Sequence, residues 1–290
     1  MNNYIWLVRR EFWENRAIWV IPLAIGAFMV LCALFGRADL MEVSSHALGR
    51  TVGQAFLGAV AATFFAAMSI YAAWYLLDCL YADRKDRSVL FWKSLPISDA
   101  TTVLSKLATA LIVIPLVYFA AADLTSLLMA FIISVRAGSL IGGALWQASL
   151  WLQFQVLWLY LILTTALWYL PVSAYLLLIS SWAKRAVMLW SILPPLALIV
   201  GEHWFFGTGV IAHQLNVRLF GFVDAAFNAN LASWVSVNVA DNDTIRTPAD
   251  IWSFLDFAGF FSSMATWAGV AIGVALIIGS IQLRMRRTEI

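Results

Sequence analysis

The sequence predicts an all-α integral membrane protein with six transmembrane helices. Three observations lead there. First, hydrophobic residues fill 63% of the 290 positions and charged residues only 12%, whereas soluble domains carry about 45–50% apolar and about 25% charged residues. Second, uncharged apolar runs cover 17–35, 51–77, 107–122, 137–183, 186–201 and 257–283, and a membrane crossing takes about 20 mostly apolar residues. Third, the positive charges are unevenly placed. With the N-terminus inside, the inner segments hold Arg9, Arg10, Arg16, Arg84, Lys85, Arg87, Lys93, Lys106, Lys184, Arg185, Arg284, Arg286 and Arg287, thirteen of the 18 Lys and Arg. The outer segments keep Arg37, Arg50, Arg136, Arg218 and Arg246 over much longer stretches. A seven-span arrangement would export the 284–287 cluster, against the positive-inside rule.

The elements follow in order. Arg9, Arg10 and Arg16 alternate with Glu11 and Glu14 before the first run, and no small-residue cleavage site closes that run. The N-terminus therefore reads as an uncleaved segment. In "YIWLVRREFWENR", Tyr4, Ile5, Val8 and Phe12 share one helical face while Trp6 and Trp13 fall elsewhere. Residues 1–16 read as an interfacial helix along the inner leaflet. The run 137–183 would make a helix of about 70 Å, far longer than a hydrocarbon core of about 30 Å. Its first part, "AGSLIGGALWQAS", is too rich in Gly, Ser and Gln to span. The remainder predicts one long helix that Pro171 kinks, and one span here returns both termini to the same side. The fifth run carries Pro194-Pro195 and reaches only about 24 Å, so it is bent, tilted or ended early. The expected spans are 17–36, 51–80, 101–134, 150–181, 186–201 and 257–283. A loop at 81–100 joins the second and third, with Ser98 or Asp99 as the helix N-cap.

Residues 202–256 form the one large outer segment. Trp204, Phe205, Phe206, Val210, Ile211, Leu215, Leu219, Phe220 and Phe222 make it semi-apolar, so it is expected to lie in or dip into the outer interface against the spans. Within it, Thr247, Pro248 and Asp250 mark a helix start, and 238–248 is the expected exposed tip.

Several chemistries are excluded. No GxxxxGK[ST], GxSxG, CxxC or HExxH occurs, so the chain is not expected to bind a nucleotide, metal or other cofactor or to act as an enzyme. Cys32 and Cys79 fall near opposite faces and are not expected to pair. Asp123 is the single charge with apolar sequence on both sides; it reads as a solvated helix end or as a polar group facing a translocation cavity. Glu202 and His203 read as an interfacial helix end or as part of an outer gate.

The stretch "YADRKDRSVLFWKSLPIS" (81–98) is the most informative. Arg84, Lys85 and Arg87 hold it inside. They do not account for the interleaved Asp83 and Asp86, or for Val89, Leu90, Phe91 and Trp92 followed by Lys93. Mixed charge around an apolar, aromatic core is the pattern of a protein-docking surface. Together with "LVRREFWENR" before the first span, six spans with both ends inside, and the apolar segment after the fifth, the chain resembles the membrane subunit of ABC-2 type transporters (type V ABC exporters). The resemblance covers nearly the whole chain, and "FWKSLPIS…VLSK" is its most specific part. It implies that Tyr4, Ile5, Val8, Arg9, Arg10, Phe12 and Trp13 lie on an elbow helix. It also implies that Asp83 to Lys93 couple the spans to a separate cytosolic ATPase, which carries the ATP and Mg, and that 202–256 forms outer re-entrant helices. A second permease copy or a paralogue would complete the path in a bacterial inner membrane, and the substrate would be hydrophobic or amphipathic: a peptide, lipid or drug. The other reading is a membrane scaffold or sensor that docks a cytosolic partner without transport.

Overall fold

The structure, a computed structural model, describes residues 3–36, 46–85, 98–137, 143, 145–228, 252 and 255–286, with the side chains of Asn3 and of 46–52 excepted. Among these residues helices dominate and no strand occurs; one isolated antiparallel bridge joins Phe227 to Leu255. Six helices are long and apolar enough to cross a membrane. The chain has the architecture of a multi-pass, all-α membrane protein.

The helix α1 (Asn3–Glu14) precedes span 1, α2 (Ala17–Phe35). Span 2 is α3 (His46–Lys85), and span 3 runs through α4 (Asp99–Ala108), a π-helical turn (Thr109–Val113) and α5 (Ile114–Ala137). Span 4 is α6 (Ala148–Trp168), continued by α7 (Leu170–Trp182); span 5 is α8 (Val187–Phe206). The short helices α9 (Val210–Phe220), α10 (Phe222–Ala226) and α11 (Phe257–Ser262) precede span 6, α12 (Met264–Arg286).

The boundaries differ from the sequence expectation in four places, each for a physical reason. Charge was expected to end span 2 at 80, yet α3 continues to Lys85 because Asp83 and Arg84 find partners inside the bundle. At 40 residues it is about 60 Å long, twice a hydrocarbon core. Of the two caps expected for span 3, Ser98 is the one used, its hydroxyl accepting from the Thr101 N–H. The 150–181 helix is two helices, broken at Tyr169, because Pro171 has no N–H to give to the preceding turn. Span 5 does not stop at 201: it runs through both prolines to Phe206, and Gly207 ends it in the left-handed conformation (φ 64°). Span 6 begins at Met264, since 257–262 is a separate short helix that Asp256 caps through the Gly259 N–H.

Packing follows the small residues. Lipid tails are as apolar as leucine, so helices associate through close contact and interhelical hydrogen bonds. Span 6 lies along α7, and its buried residues are Thr266, Gly269, Gly273, Ile277 and Ser280, with Gly269 against Arg218. A Cβ on Gly273 would meet the Leu170 Cγ at 2.9 Å and the Pro171 nitrogen at 3.1 Å, so span 6 packs closely on span 4 at its kink. Span 1 lies along α5, and span 2 sits between α5 and α7. The centre is filled by Val60, Phe64, Ile114, Tyr118 and Leu177, with Tyr71 stacked on Tyr118 at 6.3 Å. Span 5 is peripheral; Val187 is its one buried residue.

Gly273→Ala is expected to destabilise the protein by about 1–3 kcal/mol, because the added Cβ would meet the Leu170 Cγ at 2.9 Å and, behind it, backbone atoms of Pro171 and Leu170 at 3.1 and 3.2 Å that have little room to yield. Gly201→Ala, where an added Cβ meets nothing within 4 Å, should be neutral or stabilising by up to about 1 kcal/mol. Thermal unfolding of the two detergent-purified variants beside wild type measures the difference.

Candidate functional site

Five charged side chains converge where α1, α3, α4 and α12 meet. Glu11 of α1 and Lys106 of α4 are both almost fully buried, with side chains 2% and 3% exposed, and pair at 2.9 Å. The Lys106 ammonium also donates to Asp83 Oδ1 of α3 at 3.3 Å. Arg284 of α12 reaches Asp83 Oδ2 at 3.6 Å and donates from Nε to Asp99 Oδ1 at 2.8 Å. The network thus links the last turn of span 2, the first turns of span 3, the end of span 6 and the helix before span 1.

The local sequence explains how each group gets there. Glu11 and Leu7 are the buried residues of α1, four apart and so on one face. Arg10 pairs with Glu11 at 2.9 Å and with Glu14 at 3.1 Å. The Tyr75 hydroxyl donates to Glu11 Oε2 at 2.8 Å, and the Asn15 amide donates to the Glu11 carbonyl at 3.2 Å. Lys106 sits just before the π-helical turn, which widens the helix ahead of Pro115; such single turns occur often at functional positions. Burial pushes the Glu11 carboxyl up. The charge and hydrogen bond of Lys106, the Tyr75 hydroxyl and Arg10 outweigh this and hold it below the usual carboxylate range.

A second set of bonds holds the end of span 2 against α7. Arg84 donates to the carbonyls of Ser180 and Ala183, the latter at 2.9 Å. The Ser180 hydroxyl accepts from the Leu80 and Tyr81 N–H groups at 3.1 Å each. Arg84 therefore caps α7 with a positive charge, where the helix dipole favours one.

The residues singled out from the sequence are distributed as follows. Asp83 and Arg84 belong to these internal networks, while Lys85 is exposed at the helix end. Asp86, Arg87, Val89, Leu90, Phe91, Trp92 and Lys93 lie outside the described residues, as do the 247–250 helix start and the 238–248 tip. On α1, the expected shared face of Tyr4, Ile5, Val8 and Phe12 is not the buried one. Ile5 is exposed, and the inward face centres on Leu7 and Glu11 because the carboxylate must reach Lys106. Tyr4 donates its hydroxyl to the Leu104 carbonyl at 3.3 Å, and Phe12 packs on the core. Arg9 lies over the Trp6 ring at 5.4 Å, and Trp13 is exposed.

Asp123 accepts from the Gln155 amide at 3.0 Å to each oxygen, a bond between spans 3 and 4. Glu202 binds back on the following helix: Oε1 accepts from the Thr208 hydroxyl at 2.6 Å and the Val210 N–H at 2.7 Å, and Oε2 from the Ile211 N–H at 2.7 Å. It caps α9 and sets the hairpin between span 5 and the outer segment, while His203 is exposed. The described part of that segment packs beside the bundle. Trp168 Nε1 donates to the Arg218 carbonyl at 3.0 Å, Tyr160 donates to the Ala226 carbonyl at 2.6 Å, and Phe222 stacks on Phe65 at 6.3 Å. This contact is at the level of the span 4 kink, and span 2 continues well past it.

Among the described residues no group of His, Cys, Asp and Glu is placed to hold a metal, and Cys32 and Cys79 are free thiols. Comparison with known families, curated proteins and solved structures returns no match for this chain.

Removing one partner of a buried pair strands the other charge, which typically costs 3–5 kcal/mol. Lys106→Met should therefore lower stability by about that much, and Glu11→Leu/Lys106→Met should recover part of the loss. A double-mutant cycle from denaturant unfolding in detergent reads the coupling. Because the Glu11 carboxyl is held lower in the folded chain than in the unfolded one, its contribution is complete above the ordinary Glu value of about 4.3. It is lost as pH falls through the depressed folded value. Wild-type unfolding midpoints should drop below about pH 4, and the drop should be smaller in Glu11→Gln.

Proposed function

We propose that this chain is the permease subunit of an ATP-driven ABC-2 type exporter, working with a separate cytosolic ATPase and a second permease copy. The observation that carries this reading is the buried charge network on the two flanks of residues 86–97. Asp83 ends one flank, and Asp99 and Lys106 begin the other; Arg284 at the end of span 6 pairs with Asp83 and Asp99, and Glu11 of α1 bonds Lys106 and Tyr75. A push on the loop between them would be passed to four elements together rather than absorbed by one hinge. Span 2 supports the same reading: a single helix carries displacement from the loop flank past the level of the outer segment. The path walls would come from apolar and aromatic spans with few charges, which suits a hydrophobic or amphipathic substrate and not a bare ion. In this reading the α1 end faces the cytoplasm, with the Lys and Arg bias as its support.

Purification of the full-length protein from its native membrane in mild detergent tests this. An ATPase chain should accompany it, and Mg-dependent ATP hydrolysis should travel with the pair. Absence of any ATPase while the protein is folded would favour the scaffold or sensor reading instead. Trp92→Ala should reduce ATPase recovery per folded molecule by roughly 30-fold, the effect of a buried aromatic hot spot worth about 2 kcal/mol. Lys93→Ala, as a rim charge, should change it by less than about fivefold. Equal recovery from both variants at wild-type expression would remove the loop from the interface.

A further inference from the structure

The outward side of α1 carries a pattern that neither the charge network nor the coupling role uses. Trp6, Arg9, Trp13, Arg16 and Trp19 follow one another at spacings of three or four residues, which places them along one side of a helix. The series runs through the short break at Asn15 and Arg16 into the first turn of span 1, and all five are exposed. Phe12, Trp13, Arg16 and Trp19 together line a cavity of about 430 Å³. That is within the range of pockets that take a small molecule.

We infer that this cavity binds the headgroup of an anionic glycerophospholipid from the leaflet on the α1 side. Charge is the first reason. Of the charged groups between residues 9 and 16, Glu11 is taken by Lys106, and Arg10 is held by Glu11 and Glu14. Arg9 and Arg16 have no carboxylate partner among the described residues. Two guanidinium groups thus face the membrane boundary with their donors unspent. A guanidinium fork matches a phosphate in shape and charge, and a second positive group favours a lipid with net negative charge over one whose choline would be repelled.

The aromatics are the second reason. Indole rings settle at the junction of headgroups and acyl chains, apolar face toward the chains and N–H toward the ester oxygens. Trp13 and Trp19 flank Arg16 at that junction. Beyond Trp19 the exposed residues of span 1 turn apolar, with Val20 and Leu23 next, and they offer a track for one acyl chain. The site is positioned from the inside: Glu11 locks the opposite face of α1 into the bundle, so the Trp and Arg side cannot roll away from the lipid.

The test is native mass spectrometry of the full-length protein in mild detergent, titrated with phosphatidylglycerol or phosphatidylcholine of the same chains. One phosphatidylglycerol should remain bound at ratios where phosphatidylcholine does not. Arg16→Gln should weaken that binding about tenfold, the loss of one charge-assisted contact, and Arg16→Lys by less. Arg185→Gln, an exposed basic residue in the turn between α7 and α8, should leave it unchanged. No preference between the lipids, or equal losses from Arg16→Gln and Arg185→Gln, would overturn the inference. So would displacement of the bound lipid by inorganic phosphate at matched concentration, which would assign the pocket to a free anion. A change of oligomeric state in Arg16→Gln would give the face to a second protein copy. If Arg16→Gln fails to fold, Trp13→Leu provides the same comparison, with weaker phosphatidylglycerol binding expected and unchanged binding overturning the site.

Discussion

Burying the Glu11 and Lys106 charges is the constraint on which the arrangement at the α1 end depends. Neither group reaches water to any extent, and an isolated charge in such a place is prohibitively costly. Each must meet the other with good geometry, so α1 must lie against α4 with one face inward. Lys106 has a second carboxylate in Asp83, and Asp83 has a second cation in Arg284. The chain of alternating signs then reaches Asp99 at the start of span 3. Four helices are held at fixed heights relative to one another by groups that have no acceptable alternative position. Such a network is weak evidence for high stability, because desolvation offsets much of the attraction. Its clearer effect is to specify register.

The spans were legible in the sequence because charge inside hydrocarbon is expensive and a charge-free run is therefore meaningful. The Ser98 cap and the Pro171 kink were legible because each is a local backbone effect. The network was not. Lys106 lies 95 residues from Glu11 and Arg284 lies 185 from Asp99, and nothing local marks either pairing. Read alone, Lys106 is a positive charge inside the membrane boundary and Asp83 is a residue of a polar loop. One signal was available: Glu11 and Lys106 are opposite charges on segments expected at the same face. The same logic explains the misplaced end of span 2. Charge stops a helix at the membrane surface only if it needs water, and Asp83 and Arg84 find protein instead.

Away from this network the helix ends are organised by backbone chemistry. Arg84 satisfies carbonyls at the end of α7, Glu202 satisfies the first donors of α9, and Asp256 does so for α11. Other polar side chains bridge spans, as Asp123 with Gln155, Arg136 with the Ala33 carbonyl and Tyr175 with the Ser191 carbonyl. The kink at Tyr169 sets where these pieces meet. Span 6 approaches it through Gly273, and α9 and α10 lie beside it through Trp168, Tyr169 and Phe222. Aromatic content in 202–256 was visible in the sequence, but the level at which the segment docks depended on that kink.

The helix α1 joins these two kinds of constraint. Its inner face holds a carboxylate that must stay with Lys106; its outer face alternates exposed indole rings with guanidinium groups. A helix with only the first would be fixed to the bundle and indifferent to lipid. With only the second it would follow a membrane and slip against the spans. If the outer face binds lipid as inferred above, α1 would tie the height of the bundle to the height of the membrane surface, and that tie would turn into span 1 at Asn15 and Arg16. The position of Lys106, and through it of Asp83 and Arg284, would then be referred to the membrane through residues only a few positions apart in the sequence.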